Sequence, residues 1–438
     1  MVATVASPVQ QCARCGLIQP PANFCRRCGN PDPFPISSER YWGEHSSVGR
    51  PIAYSILTLI FAVMLGCVIL VLLSATGLHA RSIAIAVGAA ILPTIAYGAL
   101  IAWLDRAEPE SWELRILTFL WGAVVAVFIA LILNSTAYSI FALLTDADTG
   151  AILTAVISAP LVEESAKGLL VLLVLWIARR NIDSMLDGLV LGATVGLGFA
   201  MTENIMYFGT AYRDGGAEAV GALFVIRCLI NGMGHAVWTS FTGAAVGWSR
   251  GRHGRGVLRF IVPVLGWATA VAGHAIWNLG ATIVIGIMNI VLIETYQFSE
   301  WRAFVVAGVM GGLPFVIPTV LTASIFARLG REQEDRIIRT YLPIEVRLGT
   351  LTPFEADRVI GQHSHRPTLR SLRRKNRSVR ERRQAAFDAA AVRLAFFHYH
   401  ALRGERPDKA TVQRAEQMRW RISTLRSASD LQPRDIIH

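Results

Sequence analysis

The chain has 438 residues, of which 53% are hydrophobic and only 17% are charged. An ordinary soluble domain has roughly 25% charged residues, so this composition excludes such a domain and favours a chain that lies mainly in lipid. The formal net charge is +11, and nearly all of it lies in residues 329–438, where 23 Lys and Arg accompany 13 Asp and Glu.

The N-terminal segment contains two Cys-x-x-Cys-Gly motifs. Their cysteines are Cys12, Cys15, Cys25 and Cys28. Each motif can present two thiolates, and four thiolates suit zinc in a closed, tetrahedral structural site. We therefore predict a zinc ribbon over residues 1–35, with a linker over residues 36–50. A redox or disulfide role is the alternative interpretation.

Eight apolar stretches of bilayer length follow. They cover residues 52–74, 81–104, 114–134, 151–178, 185–209, 218–248, 257–292 and 303–327. A helix needs about 20 apolar residues to cross the hydrocarbon core. The pattern predicts an all-α fold, a polytopic transmembrane helical bundle of about eight spans over residues 51–328. Residues 135–150 are more polar, and we expect a connection there with a short interfacial helix.

Charges in the loops predict the orientation in the membrane. One set of loops is rich in arginine, including Arg106, Arg179 and Arg252, whereas the alternate set carries acidic residues such as Asp146 and Glu294. Loops with an excess of Lys and Arg stay in the cytoplasm. Both termini are therefore expected on the cytoplasmic side.

Ionisable and amide side chains interrupt the fourth to seventh apolar stretches. They are Glu163, Glu164, Lys167, Glu203, Asn204, Arg227, Asn231, His235, His274 and Asn278. A charged group at the bilayer centre costs about 2.5–3.5 kcal/mol on insertion scales, so these groups are expected to face one another. A structural ion pair between Glu203 and Arg227 is the alternative for those two residues. The pattern predicts a functional site within residues 151–292.

These residues occur in blocks that resemble a known family. Glu163-Glu164-Ser-Ala-Lys167 resembles the EExxK signature of the PrsW family of bacterial intramembrane proteases, and Gly196 to Asn204 resembles its second block. His235 followed by Trp238-Thr239, and His274-Ala-Ile-Trp-Asn278, resemble the third and fourth blocks. The resemblance covers roughly residues 150–280 and includes neither the cysteine motifs nor the basic tail.

The resemblance implies a peptide-bond hydrolase of the bacterial plasma membrane, related to the CAAX-processing membrane proteases. Some members of the family release anti-sigma factors, which makes a membrane-anchored protein of that kind a candidate substrate. The alternatives from other classes are a proton-coupled transporter and a non-catalytic membrane scaffold.

Amide hydrolysis requires an activated water and a proton for the leaving amine. We assign Glu163 or Glu164 as the general base, with Lys167 tuning its charge. His235 and His274 are the candidate ligands of a catalytic zinc or other divalent metal, with Glu203 as a third, and Asn278 is a candidate donor to the oxyanion. In a metal-free alternative the histidines would donate to the oxyanion and hold the water. The soluble metalloprotease motif HExxH is absent from the sequence.

The C-terminal region, residues 329–438, has a different composition. An arginine-rich run occupies residues 369–383, and residues 385–400 and 409–425 have helical patterns. Such a run usually lies in solvent or is attracted to anionic lipid headgroups. We expect lipid headgroups as its partner and no nucleic acid, because aromatic interleaving and a known nucleic-acid motif are missing.

Overall fold

The computed structural model describes the greater part of the chain. The described residues are 10–11, 18–19, 49–77, 79–105, 112–177, 184–250, 256–364, 379–402 and 409–427. The chain divides into two compact units, one formed by Ser46–Arg331 and the other by Met1–His45 together with Glu332–His438. The two units are described separately below.

Helices form the first unit. They are α1 (Gly49–Ala75), α2 (Ala80–Leu104), α3 (Trp112–Leu120), α4 (Val127–Leu144), α5 (Ala147–Leu153), α6 (Ala159–Ile177), α7 (Met185–Phe224), α8 (Gly234–Arg250), α9 (Leu258–Ile276), α10 (Thr282–Glu294) and the first part of α11 (Glu300–Tyr341). Four π-helical segments connect consecutive helices, at Trp121–Ala126, Thr154–Ser158, Val225–Ile230 and Trp277–Ala281. The predicted all-α bundle is confirmed.

Within the described residues, five helical stretches are long and apolar enough to cross a membrane. They are Ala80–Leu104, Trp112–Leu144, Met185–Arg250, Leu258–Glu294 and Glu300–Arg347, and a shorter apolar helix covers Leu59–Ala75. The stretch Met185–Arg250 contains two of the predicted spans, and its backbone leaves helical geometry at Gly216, where φ is 65° and ψ is −154°. Helix α6 contains three charged residues, Glu163, Glu164 and Lys167. The count of about eight spans stays a prediction.

The expected connection over residues 135–150 was wrong in extent. Helix α4 continues to Leu144, and Asp146 caps α5 by accepting hydrogen bonds from the amides of Asp148 and Thr149. The polar side chains of α4 fit a helix because their hydroxyls bond backwards, as the hydroxyl of Thr136 does to the carbonyl of Ile132 at 2.8 Å. The change of direction is therefore confined to the two residues before α5.

Helix α8 packs antiparallel against the first half of α7 at very short range. Gly192 of α7 lies against Thr239 of α8. Gly196, one turn later in α7, lies against His235, one turn earlier in α8, so the two helices run in opposite directions. A Cβ at Gly192 would be 2.5 Å from the carbonyl oxygen of Thr239. Glycine is therefore required here, since small residues let helix backbones approach closely in a membrane. This contact fixes the position of α8 along the axis of α7.

Replacing Gly192 with alanine is expected to separate the two helices and to destabilise the protein by about 1–3 kcal/mol, as overpacking does. The matched control is Gly221→Ala on the same helix, where a new Cβ would meet nothing within 4 Å. There the better helix propensity of alanine should stabilise by up to about 1 kcal/mol. Thermal unfolding of the full-length protein in detergent measures both, and equal midpoints for the two variants would contradict the close contact.

The second unit has its own hydrophobic core. Its helices are the last part of α11, α12 (Pro343–Arg347), α13 (Pro353–Ser364), α14 (Val379–Leu402) and α15 (Lys409–Ser427), and β1 (Gln10–Gln11) pairs antiparallel with β2 (Ile18–Gln19). Ile338, Leu342, Phe387, Leu394 and Ile422 are buried in that core. The two helices predicted over residues 385–400 and 409–425 are present. The four cysteines of the predicted zinc ribbon lie outside the described residues.

Buried ionic contacts connect the helices of the second unit. The carboxylate of Glu345 is fully buried and accepts hydrogen bonds from Nε2 of His398 and Nη2 of Arg419, each at 2.7 Å. Glu355 and Thr352 form a capping box at the start of α13, and Nη2 of Arg426 donates to Glu355 at 2.6 Å. The ion pair between Glu355 and Arg426 therefore holds the start of α13 against the end of α15.

The charge on Glu355 should make this end of α13 sensitive to acid. Burial alone would raise the pKa of Glu355, but hydrogen bonds from Arg426 and the Thr352 amide outweigh it and hold the pKa below its usual value of 4.5. A lowered pKa stabilises the fold above the usual value, and that stabilisation disappears as the pH falls through the lowered value. Amides of α13 should therefore exchange faster in Glu355→Gln than in wild type at pH 7, with the difference vanishing in acid. A difference independent of pH would contradict the charged pair.

Candidate metal and catalytic centre

Four consecutive parts of the first unit bring the predicted polar residues together. Helix α6 contributes its two glutamates and lysine, α7 contributes Glu203, and the first turn of α8 and the end of α9 each contribute a histidine. Glu163, Glu164, Lys167, His235 and His274 are all buried. Their clustering agrees with the expectation that ionisable groups in a membrane face one another.

Glu164 is the more fully engaged of the two neighbouring glutamates. Its Oε1 accepts a hydrogen bond from Nζ of Lys167 at 2.6 Å and contacts Nδ1 of His274 at 3.1 Å. Its Oε2 accepts from the hydroxyl of Thr239 at 2.8 Å. A carboxylate can only accept, so Nδ1 of His274 carries a hydrogen, and in the neutral imidazole Nε2 presents a lone pair. Glu164 thereby fixes the orientation of His274.

Glu163 has an unsatisfied carboxylate oxygen. Its Oε1 accepts from Nδ2 of Asn134 at 3.4 Å, but its buried Oε2 has no hydrogen-bond partner. That oxygen lies 3.8 Å from Nζ of Lys167 and 4.0 Å from Nε2 of His274. A buried acceptor without a donor is costly in a protein interior. Oε2 of Glu163 and Nε2 of His274 are therefore two acceptors that face each other, an arrangement that suits a bound cation.

The two histidines are packed together by aromatic contacts. Their ring centroids are 4.9 Å apart and the rings are perpendicular. The indole of Trp238 stacks on His274 at 4.5 Å with 14° between the planes, and it meets His235 edge-on at 5.2 Å. Nδ1 of His235 lies 3.1 Å from Nζ of Lys167, and its Nε2 lies 2.8 Å from Oε2 of Glu203. Both imidazoles are therefore held in fixed positions.

Glu203 lies between His235 and Arg227. Nη2 of Arg227 donates to Oε2 of Glu203 at 2.6 Å, and Nε donates to Oδ1 of Asn204 at 2.7 Å. The guanidinium also stacks on Tyr207, 3.9 Å from the ring centroid. The ion pair considered for Glu203 and Arg227 is thus present, and through His235 it is joined to the rest of the cluster.

Asn278 does not join this cluster. It lies in the π-helical segment Trp277–Ala281, and its Nδ2 donates to the carbonyl of Ala155 at 2.7 Å. Ala155 belongs to another π-helical segment, Thr154–Ser158, in which the backbone bonding is also widened. Regular α-helical spacing from His274 would place Asn278 on the same face, but the π-helical turn changes that register. The amide therefore connects two segments and does not point to the histidines.

One polar partner of Glu163, Asn134, and the residue that orients it, Ser158, were not predicted. Asn134 donates to Glu163, and its Oδ1 accepts from the hydroxyl of Ser158 at 2.8 Å. The signal in the sequence was a single asparagine at the end of a long apolar stretch, which in a membrane helix needs a polar neighbour. In the sequence, Asn134 lies at the end of the third apolar stretch, and no role was predicted for it.

The residues present fit a divalent metal. Glu163, His235 and His274 offer ligand atoms that all lie within 4.8 Å of one another, and all three residues are buried. Three carboxylates of the cluster, Glu163, Glu164 and Glu203, accompany two cationic side chains, so ionised carboxylates leave an excess negative charge that a cation would compensate. Two imidazole nitrogens and one carboxylate are a set of donors that suits zinc. The third member of this group is Glu163, whereas the sequence suggested Glu203, which here contacts His235 and Arg227.

Carboxylate contacts behind metal-binding histidines are common, because they fix the tautomer and the ring orientation. Glu164 makes such a contact with Nδ1 of His274. The structure therefore provides a group of possible metal ligands and, in Glu164, the residue that orients the imidazole of His274.

Comparison with known proteins locates a family domain on the same segment. Residues 110–319 match the model of a family described as PrsW family intramembrane metalloprotease. No curated protein and no solved structure matches the chain. The matched segment contains every residue of the buried cluster and leaves out the cysteine motifs and the second unit. The match supports assignment of this segment to the PrsW family of intramembrane metalloproteases, and with it an enzyme that acts as a peptidase.

Proposed function

We propose that the protein is a metal-dependent intramembrane protease that hydrolyses peptide bonds of membrane-anchored protein substrates at the cluster of Glu163, His235 and His274. The observation that carries the proposal is Oε2 of Glu163, which is buried without a hydrogen-bond partner 4.0 Å from the Nε2 acceptor of His274. The family match over the same residues supports the reaction class.

Each side chain of the cluster has a distinct part in this proposal. His274 would hold the metal through Nε2, and His235 would hold it through Nδ1 once Nζ of Lys167 moves away from that nitrogen. Oε2 of Glu163 lies beside His274 and stays available for proton transfer. Glu164 orients His274, and Glu203, held by Arg227, orients His235. Lys167 neutralises Glu164 and lies near Glu163. A bound divalent metal supplies Lewis acidity, which polarises a carbonyl group and makes water more acidic.

Glu163 is our candidate for proton transfer. Water adds to the carbonyl carbon of the substrate while the Glu163 carboxylate takes its proton, and the same carboxyl then gives that proton to the leaving amine. Glu164 is less suited to this work because all of its contacts are made to Lys167, Thr239 and His274. Asn278 would need to leave the carbonyl of Ala155 before it could donate to an oxyanion.

The test is proteolysis by the purified full-length protein in detergent, with a panel of single-span membrane proteins labelled at both ends. Candidate anti-sigma factors belong in the panel, since the family resemblance suggests that substrate class. We expect discrete fragments from at least one substrate, loss of cleavage after treatment with a chelator, and recovery when zinc is returned. Fragments that persist in Glu163→Gln would reveal a contaminating protease and contradict the assignment.

We also propose a structural zinc at Cys12, Cys15, Cys25 and Cys28. The support is the spacing of the two motifs, and the paired strands β1 and β2 flank the first of them in the sequence. Metal analysis separates this site from the catalytic one. Cys12→Ser should lose one zinc and keep proteolysis in detergent, whereas His274→Ala should lose one metal and all cleavage. A zinc content unchanged in Cys12→Ser would contradict the ribbon.

The location of the protein is inferred from charge. We place both termini in the cytoplasm of a bacterium, with the multi-pass unit in the plasma membrane, and we assign anionic lipid headgroups as partners of the arginine-rich run over residues 369–383. The support is the arginine-rich set of loops. Labelling of single cysteines introduced near each terminus in intact and opened cells tests this orientation.

A further inference from the structure

A cavity of about 440 Å³ lies beside the histidine pair. Its walls come from several parts of the first unit: Tyr97 of α2, the turn between the segment Val225–Ile230 and α8, the start of α8, the end of α9, and α11. The lining is mostly apolar and includes Met233, Ile276, Val316 and Val320. The cavity has the size and apolar character of a site for large organic groups.

The cavity adjoins the candidate catalytic centre through the backbone and through one aromatic ring. Gly234 and Gly273 line it, and they directly precede His235 and His274 in the chain. Trp238 also lines it while its ring stacks on His274. A group bound in the cavity would therefore contact the residues that neighbour the two histidines in the chain, and the ring that stacks on His274.

The cavity also reaches the outer apolar surface of the helices. Leu229, Ile276 and Val320 line it and are 62%, 56% and 43% exposed. In a membrane, that surface faces hydrocarbon. The cavity thus extends from the lipid-facing surface to Gly234 and Gly273, the residues that precede the two histidines, and an apolar segment of a membrane protein would need a route of this kind.

Helix α11 is locally irregular where it borders the cavity. Pro318 has no N–H, so the carbonyl of Pro314 lacks the donor that a regular helix would supply four residues later. Both prolines line the cavity. An unwound peptide brings its own N–H groups, which must be satisfied inside a membrane. This wall therefore offers an acceptor in addition to apolar surface.

We propose that this cavity is the substrate pocket of the protease: it binds an apolar side chain of the substrate's membrane segment next to the bond that is cleaved, and Val316 limits the size of that side chain. The proposal rests on the proposed proteolytic function and adds the substrate class that the site selects. The occupant is a peptide because the pocket borders the residues that precede the histidines and combines an apolar lining with a carbonyl that lacks its usual helical donor. A lipid chain would need only the apolar part.

The experiment compares substrates that differ at a single position near the cleavage site, carrying alanine, valine, leucine or phenylalanine. In Val316→Phe, which fills the pocket, kcat/KM for the leucine or phenylalanine substrate should fall at least tenfold relative to the alanine substrate, in line with the effect of about one methylene or more in an apolar pocket. Val316→Ala should shift the preference towards larger side chains. Val264→Phe, the same exchange at a lipid-exposed position of α9 outside the pocket, should keep the wild-type preference.

Crosslinking tests the substrate pocket independently of the proposed proteolytic activity. A photoreactive phenylalanine at position 316, in a protein that also carries Glu163→Gln, should crosslink to the alanine substrate, which still fits beside it, near the cleavage site. Crosslinks to lipid alone, or cleavage with unchanged preference in Val316→Phe, would overturn the pocket and leave the protease intact. A peptide crosslink at position 316 with no cleavage by wild type would support the pocket and overturn the proteolytic function.

Discussion

Glu163→Gln is expected to reduce cleavage by roughly 10²–10⁴-fold, the range that proton transfer contributes to enzymatic rates. Glutamine keeps the shape of the side chain and its contact with Asn134, but it cannot take a proton from water. The fold should therefore be retained. The measurement is kcat/KM on a substrate cleaved by wild type, together with the thermal midpoint of the same preparation.

The control for this variant is Glu294→Gln at the exposed end of α10, which should cleave as wild type does. His274→Ala extends the test, because removing an imidazole ligand should abolish both cleavage and binding of the catalytic metal. Measured cleavage in Glu163→Gln within threefold of wild type would exclude Glu163 as the proton acceptor. The assignment would then move to another carboxylate of the cluster.

Lys167→Met is expected to destabilise the protein by about 3–5 kcal/mol, the usual cost of leaving one partner of a buried ion pair uncompensated. Lys167 and Glu164 are both fully buried and are joined by a contact of 2.6 Å. Methionine fills similar space but leaves the Glu164 carboxylate without its cation. The free energy of unfolding, measured by denaturant titration in mixed micelles, gives the effect.

A double variant tests the cause of that loss. Glu164→Gln combined with Lys167→Met removes both charges, so it should recover much of the stability that Lys167→Met loses. Arg259→Met, at an exposed position of α9, controls for removal of a positive charge and should change the stability by less than about 0.5 kcal/mol. A double variant that is less stable than Lys167→Met would indicate that Glu164 acts in the fold through its contacts with Thr239 and His274 and that its pairing with Lys167 matters less.

The sequence by itself determined the class of fold and the charged residues and histidines of the cluster. Long apolar stretches can satisfy their backbone groups in lipid only as helices or closed barrels, and their length and apolar content indicated helices. The charged residues of the fourth to seventh stretches are expensive in lipid, which predicted that they meet. The structure brings Glu163, Glu164, Lys167, Glu203 and His235 together with His274 as expected.

Only the tertiary structure decided what each member of the cluster contacts. Consecutive residues point about 100° apart around a helix, so the spacing could not show that Glu164 makes contacts to Thr239 and His274 while Oε2 of Glu163 has no hydrogen-bond partner. Nor could regular spacing show that a π-helical turn directs Asn278 to Ala155. These contacts join residues that are distant in the chain, and they depend on the height at which α8 meets the glycines of α7, which packing between helices sets.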